Sequence, residues 1–65
     1  MNVTLQDQIA EVKRELALRE RKYPEWVTSG RMKREQAARQ INAMKAVLNT
    51  LEQQDAINRP ELFPR

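Results

Sequence analysis

At 65 residues and 7.7 kDa the chain has room for one small domain. A doubly wound nucleotide-binding sheet, a barrel or a cleft between two lobes is out of reach at that size. Charged residues make up 32% and hydrophobic residues 40%, the formal net charge is +3 and mean hydropathy is −0.83, a balance that suits a soluble, charge-rich helical protein. Cysteine and histidine are both absent, which excludes disulfide staples, thiolate nucleophiles and Cys/His zinc sites. Neither a metal nor a cofactor is expected.

The N-terminal stretch has no basic start followed by a long apolar run. Asp7 and Glu11 come early, and polar residues separate Leu5 from Ile9, so no signal peptide is read. No apolar run is longer than that of Leu16-Ala17-Leu18, far short of the roughly 20 residues that cross a bilayer. A cytoplasmic protein is expected, in the host cytoplasm if the chain is phage-encoded, with no membrane partner.

From Leu5 the apolar positions step through Ile9, Val12 and Leu16, and the same rhythm continues to Arg19 and Tyr23. Steps of four and three mark a helix seam rather than strand alternation. Thr4 is placed to cap the first turn, with Asp7 completing a capping box. Pro24 lacks an amide hydrogen and disfavours helix at the residue before it, so the first helix is expected over about residues 5–22, stopping or kinking at Tyr23. Residues 23–33 then form a bend, where Gly30 supplies a left-handed backbone position.

The second seam runs Ala37, Ile41, Met44, Leu48 and Leu51, with Val47 broadening it, and predicts a helix over about residues 34–54. Its start is weak, because Lys33 falls at the N-cap and lysine caps poorly. Two matched stripes predict an all-α fold: an antiparallel two-helix hairpin over residues 1–57, with a short kinked or helical bend. Residues 58–65 read as an extended tail that the Leu62-Phe63 pair could pin. A lone hairpin buries each stripe on one side only and has no disulfide or metal to help, so copies are expected to assemble into an oligomeric helical bundle.

Charge is unevenly spread. Residues 1–12 carry −2, residues 40–65 balance to zero, and the whole excess of +5 lies in residues 13–39. Around the bend Arg19, Arg21, Lys22, Arg31, Lys33 and Arg34 face only Glu20 and Glu25, beside the sole Tyr and the sole Trp. Arginine forks and lysine ammonium groups hold phosphates, and aromatic faces stack bases. The candidate ligand-binding residues are therefore Arg19, Tyr23, Trp26, Arg31, Lys33 and Arg34. The plainer alternative has Tyr23 and Trp26 plugging the end of the hairpin, Arg19 packing its stem with the head turned to the bend, and the other cations forming a solvated face.

The segments Arg21-Lys22-Tyr23-Pro24, Trp26-Val27 and Gly30-Arg31-Met32, followed by Ala38, Ile41, Met44, Ala46, Val47 and Leu51, resemble a group of short helical-hairpin proteins of tailed phages and prophages. The likeness covers roughly residues 8–51, and a Ser or Thr often stands in that group where this chain has Lys33. The resemblance implies a phage or prophage origin and a helical hairpin. It implies no activity.

Catalysis finds no support: Ser29 is the sole serine and has no histidine, and no Gly-rich phosphate loop or metal-ligand spacing occurs. A non-enzymatic binding protein is expected. Its basic, aromatic bend would capture an anionic nucleotide, which in a phage would sequester a cyclic-nucleotide immune signal as an anti-defence. The alternatives are a protein-interaction inhibitor or adaptor acting on a host or phage protein, and a nucleic-acid-binding dimer, which the modest net charge and the lack of a recognition helix weaken.

Overall fold

The structure, a computed structural model, describes residues 2–58. Among them there are two helices and no strand: α1, Leu5–Thr28, and α2, Arg34–Ile57. Each has 24 residues, roughly 36 Å at 1.5 Å per residue. The helices pack against one another as the hairpin the seams predict. The extended tail expected beyond Asn58, with its Leu62-Phe63 pair, lies outside the described residues.

α1 begins on the expected capping box. The amide of Asp7 donates to Thr4 Oγ1 at 3.0 Å, and the amide of Thr4 donates back to Asp7 Oδ2 at 3.1 Å. Two of the helix's open donors are thereby satisfied, and the acid lies where the helix dipole favours it.

The helix does not stop at Tyr23. It carries Pro24 inside it and runs four residues further, so the turn shrinks from the expected 23–33 to 29–33. Proline costs a helix one backbone bond and a steric strain. The turns that follow are held from the other side by a dense set of terminal bonds. Gly30, at φ 83°, donates its amide to the Val27 carbonyl at 3.1 Å, and Arg31 donates to the Trp26 carbonyl at 2.8 Å. These two bonds make a Schellman motif, which needs the left-handed glycine. The Met32 amide and the Ser29 hydroxyl both donate to the same Trp26 oxygen, each at 3.2 Å.

α2 starts at Lys33 as N-cap without any side-chain cap, as its sequence implies. The Ala37 amide reaches the Lys33 carbonyl at 3.0 Å, and no side chain closes the turn before it. Lysine offers no acceptor there.

The interior is thin. Among the described residues only Tyr23 and Ala37 are buried, at 8% and 7% exposure. Leu5, Ile9, Val12, Leu16, Ile41, Met44, Leu48 and Leu51 follow the two seams as expected but are half-buried, while Leu18 and Val47 are exposed. Two cross-helix ion pairs, Lys45 with Glu20 and Lys13 with Glu52, each at 3.8 Å, mark the antiparallel register. Both are half-exposed, so they orient the helices more than they stabilise them.

Candidate functional site

The turn end carries two arrangements, one on the seam and one opening beside it. On the seam, Arg19 occupies a position where the apolar rhythm calls for leucine or isoleucine. Its side chain is only 22% exposed. Nε donates to Glu15 Oε2 at 2.9 Å, and Nη1 crosses to α2 and donates to the Gln40 carbonyl at 3.1 Å. The guanidinium carbon stands 5.9 Å from the Tyr23 ring centroid, within cation–π range. Tyr23 Oη in turn donates to Gln40 Oε1 at 3.1 Å. Gln40 therefore receives both side chains, one on its backbone and one on its amide, and the three residues latch α1 to α2. Arg19 turns inward within a single chain, with its donor fork engaged at two points.

Trp26 stacks on Tyr23 one turn later, centroids 5.5 Å apart and planes 31° from parallel. That geometry belongs to favourable offset aromatic pairs. The pair supports the plug reading of both aromatics, and Trp26 is half-buried.

Beside the latch a groove of about 350 Å³ opens between the helices. α1 lines it with Tyr23, Pro24, Val27 and Thr28. α2 supplies Arg34, Ala37, Ala38 and Ile41. Pro24, where the first helix is expected to stop or kink, is thus a wall of the groove inside a continuing helix. Its surface is chiefly apolar, and its one cation, Arg34, is also the first residue of α2. Adjacent to it stands the uncapped helix start, where backbone amides and the positive end of the helix dipole face outward. Arg31, Lys33 and Arg34 are all exposed there, and none is within ion-pair distance of a carboxylate among the described residues.

Of the six residues the sequence singles out, Tyr23 and Arg34 line the groove, and Arg31 and Lys33 are exposed in the turn without lining it. Trp26 backs Tyr23 from outside the lining, and Arg19 is drawn into the latch. Sequence reasoning missed Gln40 and the groove walls Pro24, Val27, Ala38 and Ile41. Gln40 looks like an ordinary solvent-facing glutamine until α1 is set against it. The wall residues become a group only once Pro24 is known to sit inside a continuing helix. Among the described residues no three Asp or Glu side chains come together to hold a metal ion, and no helix is long and apolar enough to cross a membrane.

Comparison of the chain with protein families, with curated proteins and with solved structures found no match. Fold and site together define a helical hairpin with an open apolar groove at its turn end, set against a basic, uncapped helix start.

Proposed function

We propose that this chain is a non-enzymatic binding protein of phage type that works as an assembly of copies and captures an anionic nucleotide at its turn end. The observation that carries this reading is Arg34, which lines the apolar groove and also opens α2. A ligand with a flat, weakly polar body and a phosphate meets both requirements at once. The base enters the groove against Tyr23, Pro24 and Val27, and the phosphate rests on the open amides with Arg34, Lys33 and Arg31 around it. Trp26 and Arg19 act one step back by holding the Tyr23 ring in place. Capture needs no reaction, and sequestering a cyclic-nucleotide immune signal is the anti-defence role that fits a phage origin.

Isothermal titration calorimetry against a panel of linear and cyclic nucleotides tests it. Saturable binding at micromolar protein is expected, with Arg34→Ala weakening it at least tenfold. No heat from any nucleotide at that concentration overturns the reading.

A second reading, a protein-interaction inhibitor or adaptor, is favoured by the apolar character of the groove, which also suits an aliphatic side chain of a host or phage protein. It is distinguished by Ile41→Glu abolishing the interaction while Arg34→Ala leaves it intact.

A further inference from the structure

We infer that a second copy of the chain lies antiparallel against the groove-bearing side of the first, so that each groove is closed by the open end of the partner. The inference rests on the reading of the groove as the binding site and supplies its missing wall.

Three observations point to a copy of this chain rather than another protein. The first is charge. Residues 17–45, the turn half of the hairpin, hold eight cations against three acids, a net +5. The other half, residues 2–16 and 46–58, holds two cations against five acids, a net −3. A hairpin polarised along its length is complementary to itself when reversed, and two copies side by side in the same direction would set +5 against +5. The acids of the open half leave the turn half with a positive excess, so an anion is still attracted there.

The second is burial. With only Tyr23 and Ala37 buried, the other apolar residues of the two seams keep part of their surface in water. Removing more of that surface from water is the available route to stability for a chain this short.

The third is where the groove lies. Glu20 is four residues from Pro24 and Lys45 is four from Ile41, so their ion pair continues the groove's side by one helical turn. Lys13 and Glu52 lie seven residues beyond these, two turns further along the same side. This side therefore runs from an apolar groove at one end to paired, half-exposed charges at the other. Reversed on itself, it lays the partner's open end over the groove.

The chain has no cysteine, so introduced thiols report cleanly. Thr28 lines the groove at the turn end, and Ala56 stands near the open end of α2. Sedimentation equilibrium at low micromolar protein should give a mass of at least twice 7.7 kDa. Mixing Thr28→Cys with Ala56→Cys under mild oxidation should give the mixed disulfide in preference to a Thr28→Cys homodimer, with far-UV circular dichroism confirming that both variants are folded. A single-chain mass throughout, or preferential self-linking of Thr28→Cys, overturns the antiparallel pair. If the pair forms and no nucleotide binds, the capture reading falls and the pairing stands. If a single chain binds nucleotide, the pairing falls and capture stands.

Discussion

Replacing Tyr23 in two steps separates what its ring does from what its hydroxyl does. The ring is one of only two buried side chains among the described residues, it packs on Trp26 at 5.5 Å and under the Arg19 guanidinium, and it walls the groove. Its hydroxyl makes a single bond, to Gln40 Oε1 at 3.1 Å. Tyr23→Phe removes only that bond, at a net cost of about 1 kcal/mol. In a domain of this size that lowers the melting temperature by roughly 4–8 °C. Tyr23→Ala removes the ring and leaves a void, which for a buried aromatic costs about 3–5 kcal/mol. Globular chains carry about 0.05–0.15 kcal/mol of stability per residue, so a hairpin this short has on the order of 3–10 kcal/mol in all. The alanine variant should therefore lose cooperative melting or retain only a broad transition. Thermal unfolding followed at 222 nm, with the lone Trp26 as a fluorescent reporter, reads both outcomes, and protein concentration is held fixed because association shifts the midpoint. If Tyr23→Ala melts within a few degrees of the parent, the ring is not the keystone of the turn end. If Tyr23→Phe falls as far as Tyr23→Ala, the hydroxyl bond and not the buried ring carries the stability.

Two further substitutions test the turn. Lys33→Ser supplies the missing N-cap acceptor for α2 and should raise stability by about 1 kcal/mol, read as a higher urea midpoint with unchanged slope. The same change removes a cation and closes an open amide, so nucleotide affinity in calorimetry should drop as stability rises; a variant both more stable and tighter binding would contradict the site. Gly30→Ala meets no atom within 4 Å of the added methyl group, so its cost is purely that of a left-handed alanine at φ 83°, about 1–2 kcal/mol. Loss well beyond that in the melting curve would place a neighbour against Gly30.

The seams, the Thr4 cap, the weak start at Lys33 and the left-handed Gly30 were all legible because each rests on local chemistry: a side-chain period, a hydroxyl three residues before an acid, a residue without Cβ. Pro24 is different. By residue type alone a proline stops or kinks a helix, and residue types do not show that four donors to two carbonyls, those of Trp26 and Val27, hold the chain just beyond it. Arg19 stood out as a cation on an apolar seam, yet its partner Gln40 lies 21 positions away and carries no mark of its own. The groove shares that difficulty, since its walls come from both helices and meet only after the chain has reversed.

That reversal leaves no slack. Between Thr28 and Arg34 there are five residues, and one oxygen, that of Trp26, accepts from three of them. One amino acid inserted within the first turn of α2 would swing everything downstream by about 100° around the helix axis. Gln40 would rotate out of reach of Arg19 and Tyr23, and Arg34 would part company with Ile41. Descendants of this chain are thus held to one residue count through the first turn of α2, where an insertion takes the latch and the groove apart together.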